Sequence, residues 1–130
     1  MEMMFVKEQN IKYGNTLLEK SFSFSVRIVK FYKFQAQKNN VVLSLINQLL
    51  RSGTSIGANV SEAQCSISKK EFISKLQIAL KEAKETEYWI KLFKESGDIS
   101  NAEFESLNND CEELLKLLVS ILKTLKSNNS

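Results

Sequence analysis

The chain has 130 residues, of which 43% are hydrophobic and 25% charged, enough for one buried core and too few for two comfortable domains. That mix excludes a disordered chain, and no window approaches the run of about 20 apolar residues that a membrane span requires. The formal net charge of +3 and the pI near 8.8 permit an acidic partner without demanding one.

There is no proline and there are only four glycines, so little interrupts a helix, and an all-α fold is expected. Residues 1–15 read as an N-terminal arm. Within it, Met1 to Asn10 carries Glu2, Lys7 and Glu8 and lacks the apolar stretch of a signal peptide. A soluble, cytoplasmic protein is therefore expected, with no membrane association. Cys65 and Cys111 form no CxxC pair and read as two buried thiols in a reducing compartment.

Residues 16–127 carry four helical windows. The first opens near Asn15 or Thr16, where Thr16-Leu17-Leu18-Glu19 has capping-box spacing, and it carries Phe22, Val26, Val29 and Lys33 beside Phe24, Ile28, Phe31 and Phe34. After the polar Gln37 to Asn40 connection, a second window runs from near Val42 through Leu45, Leu49 and Leu50, past Gly53 and Gly57, to Val60 and Ala63. Its stretch from Ser52 to Ser61 is poor helix material by intrinsic propensity, which leaves a kink there as an open alternative. Ser68-Lys69-Lys70-Glu71 is a start signal for the third helix, whose stripe is Phe72, Leu76, Ala79, Ala83, Thr86, Ile90 and Phe93, ending at Ser96-Gly97. Ser100-Asn101-Ala102-Glu103 opens the fourth, with the seam Phe104, Leu107, Cys111, Leu114, Leu118, Ile121 and Leu125. Residues 128–130 read as a frayed tail. Short connections make sequential helices antiparallel neighbours, which predicts an up-down-up-down four-helix bundle. A strand reading fails because alternation and hairpin turn pairs are absent.

Two helices carry more apolar surface than one bundle needs. The first places Phe22, Phe24, Val26, Ile28, Val29, Phe31, Tyr32 and Phe34 around most of its circumference, and the fourth adds Leu115, Leu117, Val119 and Leu122 to its seam. Such surplus marks an interface, so a homo-oligomer is expected. The small residues from Ser52 to Ala58 fit close approach of two backbones. A phosphate cradle there lacks both the strand and the GxxxxGK[ST] pattern of a P-loop.

The chain has no histidine, which removes Ser-His-Asp and Cys-His nucleophile activation, imidazole zinc sites and the Glu-x-x-His motif of di-iron bundles. Glu82, Glu85 and Glu87 lie among Lys81, Lys84 and Lys91 as a solvated, salt-bridged face would, and Asp110, Glu112 and Glu113 read as an exposed flank. No carboxylate pair is singled out for acid–base work. A non-enzymatic protein without metal or cofactor is expected.

Nucleic-acid binding has more support. The first helix carries Lys20, Arg27, Lys30, Lys33 and Lys38 against Glu19 alone, and Lys69, Lys70 and Lys75 open the third. Cations at a helix N-terminus oppose the dipole, and a bound anion would compensate. Tyr88-Trp89 can stack on bases or pack as amphipathic rings at a boundary. The candidate contacts are Arg27, Lys30, Lys33, Arg51, Lys69 and Lys70.

Three segments carry a resemblance. Ser21-Phe22-Ser23-Phe24-Ser25-Val26-Arg27-Ile28-Val29-Lys30 resembles the opening helix of small bacterial four-helix-bundle proteins encoded in intervening sequences of 23S ribosomal RNA genes. The run from Leu49 to Ala63 is similar to that family's most recognisable segment, and Lys69 to Phe72, Ala79 to Ala83 and Glu85 to Trp89 are similar to its third helix. The resemblance implies a ring-shaped homo-oligomer, a pentamer. It also implies kinship with accessory proteins of diversity-generating retroelements, which bind nucleic acid and a reverse transcriptase, and it implies no catalysis. Two functions follow as expectations: RNA or DNA binding through a basic surface, or a scaffold docking a reverse transcriptase or other enzyme.

Overall fold

A computed structural model describes residues 16–127; the expected arm at 1–15 and tail at 128–130 lie outside the described residues. Within them the chain forms four helices and no strand: α1 (Thr16–Ala36), α2 (Leu43–Ala63), α3 (Lys69–Glu95) and α4 (Asn101–Ser127).

Each boundary has a local cause. Ser68 caps α3, its Oγ accepting the Glu71 N–H at 3.1 Å, while Glu71 Oε2 reaches back to accept the Ile67 N–H at 3.3 Å. Gly97, at φ 84°, ends that helix: the Asp98 N–H donates to the Phe93 carbonyl at 2.9 Å and the Gly97 N–H to the Lys94 carbonyl at 3.0 Å, a Schellman closure that needs the left-handed residue. Ser100 Oγ accepts the Glu103 N–H at 3.1 Å to start α4. No side chain caps α2, whose N-cap is Val42, so packing rather than capping holds its first turn.

α2 runs unbroken through Ser52–Ser61. Its hydroxyl and amide side chains bond back onto the helix: Thr54 Oγ1 donates to the Leu50 carbonyl at 2.7 Å, Ser55 Oγ to Arg51 at 2.6 Å and Asn59 Nδ2 to Ser55 at 2.8 Å. Its glycines face α1. A Cβ on Gly57 would stand 3.0 Å from the Ser21 carbonyl oxygen and 2.9 Å from Ser25 Oγ; one on Gly53 would stand 2.9 Å from Ile28 Cγ1. The two glycines of the small-residue run thus bring two helices of one protomer together.

The core fills the centre of the four helices. The α3 stripe is buried as the sequence predicts, and so is the α4 seam apart from half-buried Phe104. Leu122, counted above as surplus, belongs to the core, and on α2 it is Ile46 rather than half-buried Leu45 that is fully enclosed. Phe31 and Phe93 meet edge to face with centroids 6.4 Å apart. Connections of five or six residues join the helices, each packing on its sequence neighbours, and α4 closes against α1 along the thinnest of the four edges. Across the diagonals no helix backbones approach closely among the described residues, and the Phe31–Phe93 pair is a side-chain contact between α1 and α3 through the core.

Cys111 is buried and Cys65 is exposed, which corrects the expectation for the second thiol: Cys65 lies in the turn after α2, past the buried face that ends at Ala63. Burial, with the charges of Glu87, Glu112 and Asp110 nearby, pushes the Cys111 thiol up to about 12. No described helix is long and apolar enough to cross a membrane.

Candidate nucleic-acid interface

The six candidate cations do not share one surface. Arg27 lies on the α1–α4 edge, paired with Asp110 and donating to the Ser106 carbonyl at 3.2 Å and Ser106 Oγ at 2.7 Å. Arg51 lies on the opposite, α2–α3 edge. It pairs with Glu85 and, at 3.1 Å, with Glu82, and its Nε donates to Gln48 at 3.1 Å. Glu85 also accepts from Trp89 Nε1 at 3.0 Å, so the Trp89 ring is held in the protomer while Tyr88, edge-on to it at 5.1 Å, stays exposed. Glu82 and Glu85 therefore serve Arg51 across helices, whereas Glu87 keeps a same-helix partner, Lys91, at 3.8 Å.

Lys30 and Lys33 project from the outer face of α1 and have no ion-pair partner among the described residues. They do not stand alone there: Phe22, Val26, Val29 and Phe34 are exposed on the same helix, Phe22 at 68%. This is the surplus apolar surface expected from the sequence.

Lys69 and Lys70 stand at the start of α3, where antiparallel packing brings the end of α4 beside them. A groove of about 750 Å³ opens there, lined by Ser68, Lys69, Lys70, Ile73, Ser74, Gln77 and Lys126. No acidic side chain contributes to its walls. Lys126 is the member that sequence reasoning missed; the signal was available in the antiparallel topology, which sets the last turn of one helix against the first turn of its predecessor. Lys75, one turn further along α3, is committed elsewhere. It donates to Glu62 at 2.8 Å, and that hydrogen bond, with the charge of Glu62, raises its pKa above the ordinary 10.5.

Among the described residues no group of three or more Cys, Asp or Glu side chains is placed to hold a metal ion. What the geometry offers chemically is cationic and apolar surface.

Fold and surface together define a small antiparallel four-helix bundle with a cationic groove at one end and an exposed apolar helix face. The chain belongs to the family of 23S rRNA-intervening sequence proteins, whose profile matches residues 15–120. It is also similar to a protein of unknown function from the S23 ribosomal protein family of Bacteroides thetaiotaomicron VPI-5482, whose crystal structure is 49% identical to it. That match covers 83% of this chain and 99% of the other, with a TM-score of 0.80. No curated protein matches the chain.

Proposed function

We propose that this protein is a non-enzymatic accessory protein of the cytoplasm that binds the phosphate backbone of RNA or DNA and works as a ring-shaped homo-oligomer, a pentamer. The observation that carries the nucleic-acid reading is the end groove, where Lys69 and Lys70 from α3 meet Lys126 from α4 with no acid in the lining. Arg27 and Arg51 contribute less, because each already holds carboxylates of its own protomer. Repetition around a ring would multiply the groove, and several weak sites on one nucleic acid act with a high effective concentration.

Fluorescence anisotropy with a structured RNA tests this reading. Expected is binding at low salt whose affinity falls linearly in logarithm with salt concentration. Lys70→Glu with Lys126→Glu should weaken it at least tenfold and flatten the salt slope. No binding at low salt, or binding indifferent to that double change, overturns the reading.

A second reading is favoured by a different observation, the exposed Phe22, Val26, Val29 and Phe34 of α1: the protein is a scaffold that docks a reverse transcriptase or another enzyme, its charge being incidental. Capture of a protein partner that survives nuclease treatment distinguishes it from the first.

A further inference from the structure

The outer face of α1 has an apolar centre and charged ends. Phe22, Val26 and Val29 form the centre; Glu19 precedes them, Lys30 and Lys33 follow, and none of these three charges has an ion-pair partner among the described residues. The outer face of α4 is its counterpart. A shallow groove of about 520 Å³, lined by Asn109, Glu112, Glu113, Lys116, Leu117 and Ser120, lies at its middle. Glu105 lies toward the N-terminal end and Lys123 toward the C-terminal end, both exposed and without an ion-pair partner among the described residues.

We infer that the outer face of α1 in one protomer docks antiparallel onto the outer face of α4 in the next, with Phe22 seated over Leu117 in that groove. This rests on the assembly part of the function proposed above and names the surfaces that make it. The charge register supports the direction. Lys33 is eleven residues beyond Phe22 and Glu105 twelve residues before Leu117, spans of about 16 and 18 Å at 1.5 Å per residue. An antiparallel dock therefore sets Lys33 against Glu105. On the other side of Phe22, Glu19 falls level with Ser120, between Lys116 and Lys123. A parallel dock would set Lys30 level with Leu125, between Lys123 and Lys126, and Glu19 level with Leu114, beside Glu113, so that like charges meet.

The same direction suits a ring. α1 and α4 are antiparallel within a protomer, so copies standing side by side with their bundles aligned present α1 of one antiparallel to α4 of the next. The two helices are adjacent corners of the bundle, and their outer faces point in different directions. A head-to-tail contact between such faces turns at every step and closes after a few copies instead of running on as a straight filament.

Light scattering on size-fractionated protein is the test, with far-UV circular dichroism to verify that each variant is folded. Phe22→Asp spoils the knob and leaves the groove; Ser120→Arg fills the groove and leaves the knob. Both positions are exposed, and each variant alone should be a monomer. Mixed, they should form a species of twice the protomer mass and no larger, because one good interface remains. Lys33→Glu and Glu105→Lys should each weaken assembly about tenfold, and the two in one chain should restore it. The inference is overturned if Phe22→Asp dissociates the assembly while Ser120→Arg leaves it intact, or if the charge exchange fails to rescue. A wild-type chain that is monomeric overturns the assembly reading itself, and the inference with it.

Discussion

The two edges at which α1 meets its neighbours are built on opposite plans. Against α2 it is held by the absence of side chains: Gly53 and Gly57 let Ile28 and the Ser21 backbone come within contact distance of the α2 main chain. Against α4 it is held by long charged side chains reaching across a gap, Lys20 to Glu113 at 2.9 Å and Arg27 to Asp110, with a groove of about 240 Å³ between the helices. The first edge gains from dispersion and from burial of the Ile28 side chain, neither of which salt screens. The second gains from exposed ion pairs, worth about 0–1 kcal/mol each and weakened by salt. α1 is thus held more closely by its α2 flank than by its α4 flank, and Phe22, Val26 and Val29 on its outer face stay exposed.

The largest test of that contrast is Gly57→Val. The new side chain meets the Ser21 carbonyl, part of a backbone that cannot rotate away, and a loss of about 3 kcal/mol is expected in urea unfolding. A stability equal to wild type would mean that the α1–α2 contact is looser than its distances imply. Next in size is an effect at a third edge, where α4 buries Cys111 against the Ala83 carbonyl of α3. A thiol pushed from 9.0 to about 12 keeps its proton in the folded state while the unfolded chain gives it up, so stability is fully present below pH 9 and is lost as pH rises toward 12. The expected loss is about 2 kcal/mol midway through that range, and Cys111→Ala should flatten it. Native Cys65 should meanwhile react readily with a thiol reagent and Cys111 only on unfolding.

Smaller still is Gln35→Met. Gln35 is 1% exposed, and neither amide atom has a hydrogen-bond partner among the described residues, so removing them should raise stability by about 1 kcal/mol. The smallest change belongs to the charged edge: Arg27→Ala should cost about 0.5–1 kcal/mol at low salt and less in high salt. A cost of several kcal/mol, insensitive to salt, would erase the difference between the two edges.

What the sequence reveals follows the same division. The α3 stripe was legible in full, because spacings of four and three recur without interruption and both ends carry their own stop and start signals. α2 was not. Its continuity depends on hydroxyls bonding back to carbonyls one turn away and on two glycines meeting α1, and the second of these is a tertiary fact that local propensity does not contain. The cations illustrate the other gap. Arg27 and Arg51 are indistinguishable from Lys30 and Lys33 in a count of charges, and only the register between helices gives the arginines their partners. Lys126 joins Lys70 through topology alone.

The α1–α4 edge has a further consequence, in the order of events. Lys20 and Glu113 are 93 residues apart in the chain, whereas the other three edges of the bundle join sequence neighbours across a short turn. Loop-closure entropy grows with separation, and folding rates track how local the contacts are. Rapid folding is therefore expected, with helical hairpins forming first and α4 closing on α1 last. Arg27→Ala should then leave the refolding rate unchanged and appear wholly as faster unfolding. A nascent chain acquires its outer α1 face early and the α4 groove only after the other three helices, so one half of the proposed contact between copies waits, exposed, for the other.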